Sequence, residues 1–298
     1  MLDYALLSAL AAVVRTGGFD RAAQQLGLTP SAVSQRVKLL EERMGTVLVV
    51  RGQPCRATES GLHLCQHVER VALLEDELRH GLPQAGLDAS RLPLRLAVNA
   101  DSLATWFIPA LAAMPDRLFD LVLDDQEHSA DWLRRGEVLG AVTGYGRAVQ
   151  GCDSTPLGAL RYIATASPDF MARWFPDGVT ETAATQAPCL TFNRKDRLQQ
   201  LWLEQAFGRD LAPPTHWLPA TQAFVDAALA GLGWGLNLER MVAEHLKSGR
   251  LVPLRVDLPL DVPLYWQQSR SVGTALADLR RAVRTAAGEA LHPIAVEG

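Results

Sequence analysis

The sequence predicts an α/β chain in two parts: a small winged helix-turn-helix head, joined by one long helix to a larger body of two α/β lobes. Three observations predict it. Residues 19–45, FDRAAQQLGLTPSAVSQRVKLLEERMG, hold two helical patterns that meet at a glycine; an apolar seven-residue repeat follows; and beyond residue 93 short strands and helices alternate. The length, 298 residues, is also more than one core usually serves.

In the first pattern, Ala22, Ala23 and Leu26 recur at helical spacing, and Gly27 closes it because glycine enters the left-handed conformation cheaply. Leu28 fills the angle between the helices. Thr29 is placed to cap the second helix, with Pro30 at its first position, where a missing N–H costs nothing. At about 100° per residue, Val33, Val37, Leu40 and Met44 form one narrow packing stripe, while Ser31, Ser34, Gln35 and Lys38 lie opposite with Arg36 on the flank. Small hydroxyl and amide side chains at such a helix start can reach base edges and phosphates in a major groove. An ordinary helical hairpin would carry the same periodicity.

Charge is divided in the same way. Residues 1–61, the predicted head, hold seven basic and five acidic side chains, a net of +2, within a chain of net charge −4. An acidic body on a mildly basic head suits a DNA binder with modest affinity per head that gains strength by oligomerising.

Residues 47–50 are β-rich, and Arg51 to Arg56 form a turn with two arginines, which reads as a two-stranded wing. Arg51 and Arg56 can contact phosphate or enter a minor groove; a solvated hairpin tip is the competing reading. Thr58 is placed to cap a long helix in which Leu64, Val71 and Leu78 recur every seven residues, joined by Val68 and Leu74, a helix-pairing seam. Residues 62–93 thus form a dimerisation helix and linker. Within it, His63 and His67 share a face, but Cys65 points nearly the opposite way and nothing nearby completes a ligand set, so no metal is expected.

Past the Gly- and Pro-punctuated linker, 94–98 reads as a strand, 103–114 as a helix, 121–124 as a strand, 130–135 as a helix and 138–143 as a strand. A second set runs through 162–166, 189–192, 197–207, 221–230, 234–238 and 239–247, closed by 264–267 and the helix 274–287. This alternation argues for βαβ units and a mostly parallel sheet, with a ligand cleft at the strand ends.

Catalytic signatures are missing: there is no GxSxG elbow, HExxH, P-loop or full GxGxxG. The pair Gly144 and Gly146 and the run Gly231, Gly233, Gly235 suit tight turns better than phosphate cradles. An enzyme of α/β type would need such a motif, and a cytoplasmic amino-acid-binding protein would leave the head without purpose. Four cysteines without CxxC spacing, no leader pattern and no apolar run of membrane-spanning length point to a cytoplasmic protein with no membrane partner.

Candidate ligand residues sit at strand ends. In NADSLATW, residues 99–106, Ser102 and Thr105 can offer hydroxyls to a carboxylate at a helix start, although a plain N-cap would look alike. Asp124, Asp125 and Glu127 form an acidic cluster suited to a cationic end, or else a solvated loop. Thr143 and Gln222 are weaker candidates for holding the ligand's head group.

With these pieces in order, RAAQQLGLTPSAVSQRVKLLE and the wing tail RGQPCRATESG resemble the LysR-type transcriptional regulators, with Val49-Val50 where that family usually has Leu-Phe. LAVNADSLATWFIPAL and LRRGEVLGAV further resemble its ArgP/LysG branch, which responds to basic amino acids. The resemblance implies a DNA-binding regulator rather than an enzyme, with a two-lobed, periplasmic-binding-protein-like α/β effector domain over residues 94–298. Lobe I would take about 94–161 and 265–298, and lobe II about 162–264. It further implies L-lysine or L-arginine as effector and no cofactor, and control of genes such as a basic amino acid exporter. The implied partners are a double-stranded DNA operator, further copies of the chain in a homodimer that assembles to a homotetramer, and RNA polymerase.

Overall fold

The computed structural model describes residues 2–81, 93–123, 129–270, 273 and 276–294. The head opens with α1 (Tyr4–Thr16), capped by the Asp3 carboxylate on the Ala5 N–H. Its apolar residues lie nearly all round, and seven of them are buried, because α1 is the central rod on which α2 (Phe19–Leu26), α3 (Pro30–Met44) and the long α4 (Glu59–Gly81) all pack. The turn between α2 and α3 is built as expected: Gly27 is left-handed, Thr29 accepts the Ala32 N–H at 3.2 Å and Pro30 opens α3.

The wing is minimal. Strands β1 (Val49–Val50) and β2 (Arg56–Ala57) pair antiparallel for two residues each. Thr58 then caps α4 (Glu59–Gly81) by accepting the Gly61 N–H, while its own hydroxyl donates to the Val47 carbonyl. Here glycine is a packing requirement, since a Cβ on Gly61 would lie 2.0 Å from the Leu48 carbonyl oxygen.

The body begins with β3 (Leu94–Val98), followed by α5 (Ala100–Ser102), a π-helical turn (Leu103–Phe107) and α6 (Ile108–Ala112) in place of one uniform helix. Then come β4 (Phe119–Leu123), α7 (Ser129–Arg134) and β5 (Gly140–Thr143). Strand β3 pairs parallel with both β4 and β5, as βαβ units require.

The expectation of a mostly parallel sheet fails beyond this point. Strand β6 (Cys152–Ala166) is fifteen residues long, and it pairs antiparallel with β11 (Leu260–Ser269), as β11 does with β5. Sequence periodicity exposes only the end of β6, because Pro156 and Gly158 interrupt it. They flank a bulge at which Leu157 has no partner between the Pro156–Tyr265 and Gly158–Leu264 pairs.

Between these two long strands lie α8 (Pro168–Trp174), α9 (Glu181–Gln186), β7 (Cys189–Thr191), α10 (Leu198–Phe207) and β8 (Thr215–Trp217). They continue into α11 (Thr221–Leu229), β9 (Gly235–Leu238), α12 (Glu239–Lys247) and β10 (Val252–Pro253), and α13 (Ala277–Gly288) follows β11. One end of the β6/β11 ladder pairs with β5 through Tyr265–Gln268, and the other with β9 through Tyr162–Thr165. The lobes therefore share a continuous ladder, and one apolar core, with Trp106, Trp202, Trp234 and Trp266 fully buried, runs through both.

Candidate nucleic-acid interface and ligand cleft

On α3, Ser31, Gln35 and Lys38 are exposed, Ser34 and Arg36 half-buried, and Val33, Val37 and Leu40 buried, so the helix has the two faces its spacing implies. Lys38 makes only a 3.7 Å pair with Glu42, with both side chains well exposed, an interaction weak enough for a phosphate to displace. Met44 departs from the expected stripe and is 39% exposed. The last turn of α3 is held instead by Glu41, whose Oε1 accepts the Leu48 and Val49 N–H groups at the base of the wing. Arg51 and Arg56 are exposed, and the Arg51 guanidinium lies 5.2 Å from the Phe19 ring, which ties the wing to α2.

The seam expected on α4 is not one uniform stripe. Leu64 and Val68 pack against the core of their own head, because α1 covers that side; Tyr4 reaches His67 with an O···N distance of 3.2 Å. Val71 is half-buried and Leu74 is 52% exposed, while the side chain of Leu78 lies outside the described residues. Leu73, which periodicity did not single out, enters the core of the body. Two turns of α4 earlier, the buried Gln66 side chain donates to the Arg135 carbonyl just after α7. Among the described residues no cluster could hold a metal, and burial pushes the Cys65 thiol up to about 12, away from the thiolate a metal would need.

Between the lobes lies a cleft of about 950 Å³. Its walls are largely apolar, with Leu123, Phe192, Phe224, Leu236 and Met241, and its polar groups come from three places. At the floor is Asp101, on α5. Its Oδ2 accepts the Tyr162 hydroxyl at 2.6 Å, and its Oδ1 accepts the Thr221 hydroxyl at 2.7 Å from the first turn of α11. Burial raises the Asp101 carboxyl above its ordinary range, and the two hydroxyl donors offset part of that rise. Burial and the neighbouring carboxylate hold the Tyr162 phenol well above its usual value, so it acts as a donor.

At the rim, residues 193–197 form a tight turn. Asn193 accepts the Lys195 and Asp196 N–H groups, and Asp196 accepts those of Phe192 and Leu198. Two further cleft-lining amides are buried. Gln199, 3% exposed, has neither amide atom partnered, and Asn237, 2% exposed, has an unpartnered Oδ1 while its Nδ2 donates to Thr165.

Most ligand residues expected from sequence lie elsewhere. Asn99 is the cap of α5, accepting the Ser102 N–H, which turns Ser102 into the protein, fully buried and away from the cleft lining. Thr105 donates back to the Asp101 carbonyl one turn earlier and faces a small cavity by Arg161 and His292. Thr143 is buried, bonded to the Tyr145 carbonyl and the Gln267 amide. Gln222 is exposed and donates to Asp226, one position beyond the cleft-lining Thr221. Asp124, Asp125 and Glu127 lie outside the described residues. Asp101, Tyr162, Thr221, Gln199 and Asn237 were missed; the one available signal was Asp101, a charged residue inside NADSLATW at a helix start.

Residues 4–62 match the lysR family of bacterial regulatory helix-turn-helix proteins, and residues 88–288 match the LysR substrate-binding domain. The chain is 47% identical over 288 residues to the HTH-type transcriptional regulator LysG of Mycobacterium tuberculosis, covering 96% of this chain and 94% of that protein. The crystal structure of ArgP from the same organism is similar over 99% of this chain and 100% of its own, at 45% identity and a TM-score of 0.84. Full-length LysG from Corynebacterium glutamicum with bound effector Arg is similar at 38% identity and a TM-score of 0.73, over 98% of this chain and 100% of its own.

Proposed function

The chain belongs to the LysR family of transcriptional regulators, in the branch of LysG and ArgP; we propose that it senses L-lysine or L-arginine between its lobes and in response controls genes such as a basic amino acid exporter. The observation that carries this is the cleft. It has the size of a small-molecule site, lies between lobes joined by the β6/β11 ladder, and belongs to a chain similar throughout to a regulator whose structure holds Arg. The acidic residues that follow Leu123 in sequence, Asp124, Asp125 and Glu127, supply negative charge for the ligand's cationic end.

Operator DNA is read by Ser31, Ser34, Gln35, Arg36 and Lys38 in the major groove, with Arg51 and Arg56 of the wing on the backbone. Two chains pair along α4 through Val71 and Leu74, and pairs of dimers form a tetramer on two half-sites. A ligand changes regulation only by binding one arrangement of the assembly more tightly than another. The contacts of Gln66 and Leu73 with the body put α4 in direct touch with the lobe that holds Arg135.

Calorimetry with L-lysine, L-arginine and L-norleucine, paired with gel shifts on the DNA upstream of its own gene and of neighbouring transporter genes, tests this. Binding of a basic amino acid at least about tenfold tighter than norleucine, with a change in the shift, is the expected result. A protein that binds neither basic amino acid, or whose shift ignores both, overturns it.

A further inference from the structure

We propose that Asp101 is the cleft's receptor for a cationic nitrogen of the ligand, an ammonium or guanidinium group, and that it takes this charge at the point where the two lobes are hydrogen-bonded to each other. The assignment rests on the cleft being that of a basic amino acid sensor.

An ionised carboxylate has about four acceptor positions, and the Tyr162 and Thr221 hydroxyls fill two of those on Asp101. Both donors are neutral. Among the described residues Asp101 forms no ion pair, although it sits in a largely apolar, ligand-sized cleft where an uncompensated carboxylate is costly. The missing counter-charge is what a cationic ligand brings.

The buried amides of the same cleft lean the same way. Asn237 spends its N–H on Thr165 and keeps a free Oδ1, and Gln199 has a free Oε1 as well as a free N–H. The unpartnered atoms of these two amides are two oxygens and one nitrogen, which leaves acceptors for a donating group. The cations that line the same space, Arg194, Lys195 and Arg197, stand on the rim turn, where Arg194 lies 5.4 Å from the Trp217 ring and Arg197 pairs with Glu204 at 3.8 Å.

Position adds a consequence. Asp101 precedes α6 in the first lobe, and Thr221 opens α11 in the second, 120 residues away. A cation on Asp101 shares its carboxylate with the Thr221 hydroxyl, so occupancy bears directly on the bond that joins the lobes. A purely structural tie would need no charge, since an asparagine at 101 would still accept a hydroxyl proton.

The test is calorimetry on the full-length protein, wild type against Asp101→Asn and Thr221→Val, with folding followed by thermal melting. The ligands are L-lysine, L-arginine, L-norleucine and 6-aminohexanoate. Asp101→Asn is expected to weaken lysine binding by about 10- to 100-fold, the loss of one charge-assisted hydrogen bond. A parallel loss for norleucine assigns the α-ammonium to Asp101, and one for 6-aminohexanoate assigns the side-chain nitrogen; either supports the proposal. Thr221→Val keeps the charge and should weaken lysine by about three- to tenfold while preserving its preference over norleucine. Wild-type lysine affinity in Asp101→Asn overturns the assignment and leaves the sensor reading standing. Unchanged affinity in Thr221→Val overturns the link to the lobe contact, and a wild-type protein that binds none of the ligands overturns both.

Discussion

The head and the cleft keep their working groups on opposite sides of the solvent boundary. On α3, Ser31, Gln35 and Lys38 stand in water within eight consecutive residues, and their direction follows from helix geometry alone. In the cleft, Asp101 meets Tyr162 and Thr221 across 61 and 120 residues of chain, and all three are at least half-buried. The difference is what the two proposed ligands require. A polyanion as large as DNA is met on an exposed, hydrated surface, whereas a small zwitterion is discriminated only where water is excluded and polar partners are few.

The sharpest way to separate the two regions is to break the pairing of chains and leave both sites intact. Val71→Asp places a carboxylate on the half-buried middle of α4; the expected cost to dimerisation is about 3–5 kcal/mol, that of burying an unpaired charge. Sedimentation should then show monomers that bind ligand normally and operator weakly; parental sedimentation would move the seam elsewhere. Gly61→Ala breaks the head alone. Its Cβ would collide with the Leu48 carbonyl, and relieving that overlap should cost about 1–3 kcal/mol in the head's stability. Operator affinity should fall while calorimetric ligand binding persists; loss of both would mean that head and body do not fold separately.

Within the head, base and phosphate roles should come apart. Gln35→Ala is expected to cost about 1–3 kcal/mol at one base position, and Lys38→Ala to weaken all sequences alike and shallow the salt dependence by about one unit. Binding measured on a set of single-base operator variants at several salt concentrations checks both; two unchanged profiles would remove α3 as the reading helix.

The smallest effect belongs to the body. Arg161 and Asp261 form a bidentate pair at 2.8 and 2.7 Å between β6 and β11, and hydrogen bonding to Arg161 holds the Asp261 carboxyl below its ordinary range. A carboxylate with a lowered folded-state pKa adds stability above its unfolded value and loses it as pH falls through the lowered one. Arg161→Gln should therefore cost less than about 1 kcal/mol at neutral pH, given the pair's exposure, and nothing at a pH below both values. Urea melts at neutral and strongly acidic pH measure this; an equal loss at both would attribute the effect to packing.

The candidate ligand residues show where legibility ended. The sequence places a helix start within residues 99–106 with the helix running from 103, yet the cap is Asn99, so Ser102 lies inside the first turn and faces the protein while Asp101 lines the cleft. At α11 one position separates the exposed Gln222 from Thr221. Each residue along a helix turns the side chain by about 100°, so an error of one position changes which face a group occupies. On α4 the repeat of Leu64, Val71 and Leu78 was real as a pattern, but it could not say that α1 would cover Leu64 and Val68.

What the sequence determined by itself was local: the helix-turn-helix with its Thr29 cap and Gly27 turn, the exposed face of α3, the short wing, the long helix after Thr58 and the change to α/β alternation near residue 94. Each depends on neighbours within a few residues, and periodicity and capping record those directly. Only the tertiary structure decided that β6 and β11 run antiparallel through both lobes, that a bulge at Leu157 joins two halves of one strand, and that Asp101 faces Tyr162 and Thr221. Those contacts join segments from 61 to 120 residues apart, and no pattern along the chain encodes which distant hydroxyls will meet a buried carboxylate. The choice is made when the lobes pack and water leaves the space between them.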